Sequence, residues 1–330
     1  KIDAKKLSLF LETQNPKVLY RDIVVPIENI KLYIDFFSLL KSDTKIEKIN
    51  LVLKELDIAQ LNKLSIIIKP SNFKSLLNNK IKQGKIVSEI EIFLTEKGKL
   101  KNFIAKGSVK ELKAELLKDL NLKKTTLEFF ADKDDILIKN IFGQLEDVQI
   151  SNGDLKLNLE NGIRISSNFN SKLNFDKKVF NKYIKFLNKF EFVNNIQSLK
   201  ANLNSNLSVY LDKTYKIKDY NYDISGKIEK GRIELLNPIK NKIITEGIKS
   251  IYLSDFEIKT VFKEKNINLK GDGKYSFNDS DYQKVSLENN FKDNQSNLKI
   301  NFDYGNKLEF GLINYEKPKN SIASIFLDFE

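Results

Sequence analysis

The chain of 330 residues contains no cysteine, histidine, methionine or tryptophan. Without histidine it lacks the commonest general base and metal ligand, so a conventional serine-based catalytic triad is excluded. Without cysteine it forms no disulfides, a condition that suits a cytoplasm and a bacterial periplasm alike. These absences predict a protein that is not an enzyme and that uses no cofactor and no metal ion.

The sequence also lacks a long hydrophobic run. The longest one, from Tyr33 to Leu40, is interrupted by Asp35 and falls well short of the roughly 20 residues that span a membrane as a helix. Because the chain begins with Lys1 and not with methionine, we expect it to be a segment of a longer protein. Any membrane anchor or targeting signal is then expected outside this segment.

The net charge is +12, and most of it comes from lysine. The lysines are spread evenly, and most tyrosine and phenylalanine residues follow a strand-like alternation. This distribution favours a solvated surface first, attraction to anionic lipid headgroups second and nucleic-acid binding last. We therefore predict no nucleic-acid partner.

Alternation of apolar and polar residues is the dominant pattern. From Leu199 to Leu211, leucine, valine, alanine and serine occupy the odd positions, and lysine, asparagine, serine and tyrosine occupy the even ones. Such a pattern predicts a strand with one apolar and one polar face. Similar runs occur at Ile90–Leu94, Leu155–Leu159, Ile163–Ile165, Ile267–Leu269, Leu298–Tyr304 and Leu308–Leu312.

Glycine-containing pairs predict the turns between these strands. The Asn161-Gly162 pair is the strongest hairpin signal, and Asn152-Gly153 is the next. Further turn signals are Ser225-Gly226, Lys230-Gly231, Gly271-Asp272-Gly273 and Gly305-Asn306. Asp134-Asp135 also predicts a turn, although paired carboxylates can do acid–base chemistry or bind a divalent cation.

Apolar residues at helical spacing predict three helices, over Asn29–Leu40, Ser71–Ile81 and Asp176–Phe190. The stretch Glu111–Leu120 fits both a strand and a helix. The sequence therefore predicts three parts, which are a β-rich segment with two short helices at 1–175, an amphipathic helix at 176–192 and a β-rich continuation at 193–330.

Two regions resemble a known family. The first is Pro16–Tyr20, followed by Val25-Pro26-Ile27 and then by the helix predicted over Ile30–Leu40. The second is the stretch Leu127–Phe169 with Gly143 and Ile150–Leu157. Both are similar to the central region of AsmA-like bacterial envelope proteins of the YhdP and TamB type. The resemblance implies an elongated, curved antiparallel β-sheet forming an open hydrophobic groove. It also implies a periplasmic location, anchorage to the inner membrane, and transport of phospholipid between the inner and outer membranes or their proteins.

The expected function is thus the binding of phospholipid acyl chains along the apolar face of the sheet. Candidate groove residues are the apolar positions of alternating strands, namely Leu155, Leu157, Leu203, Leu207, Val209, Ile300 and Phe302. A closed β-sandwich or solenoid with a structural or adhesive role and no lipid cargo is the alternative. A histidine-free enzyme is a third reading.

Overall fold

The fold is known from a computed structural model. It describes residues 2–3, 8–20, 23–35, 38, 45–58, 60, 79–117, 120–160, 162–179, 181, 195–214, 216–264, 266–293, 295–319 and 321–329.

Strands account for most of the described residues. In chain order they are β1 (Ile2–Asp3), β2 (Ser8–Gln14), β3 (Lys17–Tyr20), β4 (Ile23–Asp35), β5 (Ile46–Leu53), β6 (Leu56–Asp57), β7 (Ile81–Leu94), β8 (Leu100–Leu117), β9 (Leu120–Ala131), β10 (Asp135–Leu145), β11 (Val148–Asn158), β12 (Ile163–Asp176), β13 (Ile196–Leu211), β14 (Ile217–Ile239), β15 (Ile248–Lys263), β16 (Asn266–Phe277), β17 (Gln283–Lys292), β18 (Gln295–Tyr304), β19 (Leu308–Phe310), β20 (Tyr315–Lys317) and β21 (Ala323–Phe329). One 3-10 turn covers Gly311–Ile313. The prediction of a mainly β fold is therefore confirmed.

The chain divides into two compact units. The first comprises Lys1–Glu146, Ile150–Ser166 and Leu211–Lys216, and the second comprises Asp147–Gln149, Ser167–Tyr210 and Ile217–Glu330. In the first unit Ile27, Leu53 and Leu56 form a buried core, and Val18, Val25 and Ile90 are among the residues packed against it.

The second unit contains an antiparallel meander. Strands β14 to β18 pair in chain order, and β21 pairs with β18. The sheet is open, as predicted. The alternating runs at 199–211 and 298–304 lie in β13 and β18, which confirms both strand predictions.

The predicted helix Asn29–Leu40 is wrong where the structure describes it. Residues up to Asp35 continue β4, and Ile30 pairs with Thr13 on one side and Leu51 on the other. The helical prediction rested in this part on the spacing of Ile30, Tyr33 and Ile34, which are residue types that favour strands. Pairing on both sides of β4 outweighs the helical pattern. The remainder of this predicted helix, apart from Ser38, lies outside the described residues.

The other two predicted helices fall largely outside the described residues. Asn79 and Lys80 are helical, and β7 begins at Ile81. Residues 177–179 and 181 are helical, and Asp176 accepts a hydrogen bond from the Val179 backbone at 2.8 Å, as a helix N-cap does. Over the ambiguous stretch Glu111–Leu120, the strand alternative is confirmed up to Leu117.

Several predicted glycine turns are wrong. Asn152-Gly153 lies inside β11, both Ser225-Gly226 and Lys230-Gly231 lie inside β14, and Gly271-Asp272-Gly273 lies inside β16. At Gly226 a Cβ atom would lie 2.2 Å from the Asn202 carbonyl oxygen, so this glycine lets a neighbouring backbone approach closely.

Two turn predictions are confirmed, at Gly305-Asn306 and at the acidic pair 134–135. The side chain of Asp132 accepts hydrogen bonds at 2.8 Å from the backbones of Asp134 and Asp135, which closes the turn before β10. The Asn161-Gly162 pair falls between β11 and β12, but Asn161 lies outside the described residues. The strand predicted to reach Leu312 ends at Phe310.

Candidate functional site

Three of the predicted groove residues share one face of β13. Leu203, Leu207 and Val209 occupy alternate positions of this strand, and all three are partly exposed. The intervening asparagines lie on the opposite face, where Asn204 donates to Asn170 of β12 at 2.8 Å and Asn206 donates to Asn204 at 3.0 Å. The asparagine side chains on the polar face are thus hydrogen-bonded to one another. The leucine and valine side chains on the opposite face remain partly exposed.

Two further predicted residues, Ile300 and Phe302, share one face of β18. The register places Ile300 beside Leu287 of β17 and Leu327 of β21. It places Phe302 between other apolar residues, Val285 and Ile325, on the same two strands. All of these side chains are partly exposed.

The alignment of Leu287, Ile300 and Leu327 continues across six strands. We call the aligned residues the apolar row, which consists of Gly226, Ile258, Gly271, Leu287, Ile300 and Leu327. Neighbouring strands lie about 4.8 Å apart, so five steps span about 24 Å. The ring of Phe256 fills the space beside Gly271, and a Cβ atom added to this glycine would lie only 2.4 Å from the ring. Phe256 itself is 3% exposed. Phe256 and Gly271 therefore form a closely packed floor of the apolar row at β15 and β16, and the side chains around them are partly exposed.

Leu203 of β13 belongs to the same face as the apolar row. Its neighbour Asn202 donates to Glu229 of β14 at 2.6 Å, and Lys200 forms an ion pair with Glu229 at 2.6 Å. Glu229 and Lys227 are two residues apart in β14 and thus lie on the polar face. Alternation then places Leu203 and Gly226 together on the apolar side.

Aromatic rings close one end of this face. Phe302 lies 5.8 Å from Tyr275 and 6.5 Å from Tyr304, measured between ring centroids. Tyr275 and Tyr304 are buried, and the Tyr275 hydroxyl donates to the Asp303 carbonyl oxygen at 2.7 Å. Burial raises the pKa of both phenols.

A buried lysine lies next to the aromatic end. Lys317 is 3% exposed, and its ammonium group lies 5.9 Å from the centroid of the Tyr304 ring. It donates hydrogen bonds to the carbonyl oxygens of Pro318, at 3.1 Å, and of Ser321. Burial lowers the pKa of Lys317. These bonds hold the turn that leads into β21.

A cavity of about 900 Å³ lies over the polar face of the second unit. It is lined by polar residues that precede or follow the residues of the apolar row in their strands. Among them are Lys227, Glu257, Lys270, Asp272, Glu288 and Lys299. Lys270 forms an ion pair with Glu288 at 2.9 Å, and Lys227 forms one with Asp255 at 2.7 Å. Cross-strand charge pairs therefore satisfy much of this face, and sequence reasoning did not identify the cavity.

None of the seven predicted groove residues lines this cavity, and Phe302 lines a second one of about 440 Å³. Leu155 and Leu157 belong to the first unit, where they are partly exposed on β11. On the opposite face of β11, Asn158 donates a hydrogen bond to Asp135 of β10 at 2.9 Å. The structure brings Leu203, Ile300 and Phe302 onto one face of the second unit and places Leu155 and Leu157 in the other unit.

Sequence reasoning missed Ile258, Leu287, Ile325 and Leu327. Ile258 and Leu287 lie in short alternating stretches, as at Val285-Ser286-Leu287, whereas Ile325-Phe326-Leu327 is an unbroken apolar run. The signal that finds Ile258 and Leu287 is therefore the same period-two pattern, read over shorter windows.

Within the described ranges, no group of three or more acidic side chains is arranged to hold a metal ion. Nor does this part of the chain include a helix long and apolar enough to cross a membrane. No protein-family model, no curated protein and no solved structure matches the chain.

Proposed function

We propose that the apolar face of the second unit binds phospholipid acyl chains. We further propose that the chain is a segment of an AsmA-like envelope protein that conducts phospholipid between the inner and outer membranes of the periplasm. The observation that carries the proposal is the partial exposure of the aliphatic side chains at Ile258, Leu287, Ile300 and Leu327. A sheet face covered by a second protein layer buries such residues.

The dimensions support an acyl chain as the ligand. The apolar row spans about 24 Å across six strands, whereas one leaflet of a bilayer core is about 15 Å thick. Each methylene group that leaves water contributes about 0.8 kcal/mol, so an acyl chain along the row is held without a specific polar contact. The absence of histidine and cysteine is consistent with a role that needs no chemistry.

Lipid analysis of the purified chain tests this proposal, with two adjacent substitutions as a matched pair. Ile300→Asp places a carboxylate on the apolar face, and Asn301→Asp places the same group on the polar face of the same strand. Covering the carboxylate at position 300 with an acyl chain requires its protonation, which costs about 4 kcal/mol at pH 7 for a group of pKa about 3.9.

We expect phospholipid to co-purify with the unsubstituted chain and with Asn301→Asp, and to fall at least about tenfold with Ile300→Asp. Circular dichroism establishes that both variants keep their strand content. Equal lipid content in the two folded variants would contradict the proposal, as would an unsubstituted chain that carries none after expression in a bacterium.

The alternative is a structural or adhesive β-protein without lipid cargo. The asparagine ladder that joins β12 and β13 favours it, because Asn170, Asn204 and Asn206 stabilise the sheet without a ligand. A lipid-free chain that unfolds at the same temperature before and after solvent delipidation supports this alternative.

A further inference from the structure

A short hairpin in the second unit ends in a fully exposed apolar tip. Strands β19 and β20 pair through Leu308–Phe310 and Tyr315–Lys317, and the 3-10 turn Gly311–Ile313 joins them. At this tip the exposed fraction is 103% for Leu312 and 73% for Ile313. Two adjacent aliphatic side chains so exposed at the end of a projecting element indicate an interaction site.

Two ion pairs join the strands at the base of the hairpin. Glu309 and Glu316 lie opposite each other, and Lys307 bridges them with contacts of 2.9 Å and 3.0 Å. Behind the tip the rings of Phe310 and Tyr315 lie 6.1 Å apart. Aromatic rings behind an aliphatic tip match the order of side chains at a membrane surface, where aromatic residues occupy the headgroup level.

A basic loop lies next to the hairpin. The Glu309 backbone donates a hydrogen bond at 3.1 Å to the carbonyl oxygen of Ile243, which is itself an exposed apolar residue. Lys240 precedes this turn and Lys242 lies within it, and both are exposed. The side chain of Asn241 accepts hydrogen bonds from the backbone of this turn at 2.8 Å and 2.7 Å, which fixes its conformation.

We propose that this hairpin tip inserts into the surface of a bilayer that contains anionic lipid. Leu312 and Ile313 enter the acyl boundary, Ile243 adds apolar area, and Lys240 and Lys242 meet the headgroups. A bilayer is favoured over a protein partner because the aliphatic residues protrude and because exposed lysines accompany them. This inference concerns a different surface from the apolar row and holds whether or not that row carries acyl chains.

The absence of tryptophan from the chain provides a direct test. Ile313→Trp introduces a single reporter at the tip. Ile217→Trp is the matched control, because Ile217 is also exposed, at 63%. It lies at the first residue of β14, whereas the basic loop follows the last residue of that strand. Fluorescence of both variants is measured with vesicles of phosphatidylcholine alone and of phosphatidylcholine mixed with phosphatidylglycerol.

We expect a blue shift at position 313 with the anionic vesicles, quenching of that emission by brominated acyl chains, and no change at position 217. Substituting Leu312 and Ile313 together by Asp is expected to weaken vesicle co-sedimentation at least about a hundredfold. Charge reversal at Lys240 and Lys242 is expected to weaken binding to the anionic vesicles about tenfold or more.

Three results would overturn the inference. The first is that the tryptophan at position 313 shows no blue shift with the phosphatidylcholine vesicles and none with the anionic vesicles. The second is an equal shift at 313 and 217, which indicates non-specific adsorption. The third is a shift at 313 that develops with protein concentration alone, which assigns the tip to a protein–protein contact. Loss of co-purifying lipid in Ile300→Asp, with vesicle insertion retained, separates this site from the proposed acyl-binding face.

Discussion

The packing of Phe256 against Gly271 leads to a quantitative prediction for the floor of the apolar face. A Cβ atom at position 271 would lie 2.4 Å from two ring carbons of Phe256, well inside van der Waals contact. Because Phe256 is 3% exposed, its ring has little room to move aside. We expect Gly271→Ala to destabilise the second unit by about 1–3 kcal/mol, the range for overpacked cores.

Gly231→Ala is the matched control. Gly231 is also buried within a strand, but its added Cβ would meet nothing closer than 3.5 Å. Alanine has the lower conformational entropy in the unfolded chain, so this change is expected to be neutral or stabilising by about 0.4–1 kcal/mol. Urea unfolding followed by circular dichroism measures both variants.

A double-mutant cycle identifies the ring as the cause. Phe256→Ala alone is expected to cost about 3–5 kcal/mol because it leaves a cavity. In the Gly271→Ala background the same truncation also relieves the clash, so its cost falls by about 1–2 kcal/mol. Equal stability of Gly271→Ala and Gly231→Ala, or strictly additive effects in the cycle, would refute the reasoning.

Two further predictions concern titratable groups, and urea unfolding over a pH series tests both. Tyr275→Phe removes the hydrogen bond to Asp303 and is expected to cost about 0.5–1.5 kcal/mol at neutral pH. Burial raises the pKa of Tyr275, so near pH 10 its phenol ionises only in the unfolded state. The free energy of unfolding therefore falls as the pH rises above 10, and it falls less in Tyr275→Phe, which lacks this phenol. Burial opposes ionisation of Glu146, but hydrogen bonds from Lys123 and Asn121 outweigh it and lower the pKa. Stability from Glu146 is therefore complete above pH 4.5 and is lost as the pH falls through the lowered pKa; Glu146→Gln should flatten this acid slope, and an unchanged slope would contradict the assignment.

Alternation was a sufficient signal for two of the strands, β13 and β18. The runs 199–211 and 298–304 fall within β13 and β18, and their apolar positions lie on one face as expected. The reason is that a side-chain period of two is specific to strands and is fixed wherever one face differs from the other. The placement of Ile300 and Phe302 on the apolar face follows from sequence alone.

Glycine was the main source of error in locating turns. At Gly226 and Gly271 the residue is required because a neighbouring backbone or ring occupies the position of its Cβ. A glycine in a turn and a glycine in a crowded strand are indistinguishable without knowledge of the neighbouring strand. The same limit explains β4, where pairing partners distant in sequence determine the conformation of Ile30.

The exposed tip and the polar cavity were also beyond sequence reasoning. Alternation at Leu308, Phe310 and Leu312 predicts a continuing strand, but the strand ends at Phe310 and the next three residues form a 3-10 turn. The polar cavity depends on how six strands align their charged residues, and register is set by pairing and not by composition.

Site-directed spin labelling tests the central claim most directly, because the chain contains no cysteine. Nitroxides attached at Ile300→Cys and Asn301→Cys report on the apolar and the polar face of the same strand. We predict that a water-soluble relaxation agent reaches both labels in delipidated protein, and that added phospholipid shields only the label at position 300. A label at position 300 that the agent cannot reach before lipid is added, or equal shielding of the two labels after lipid is added, would contradict the account.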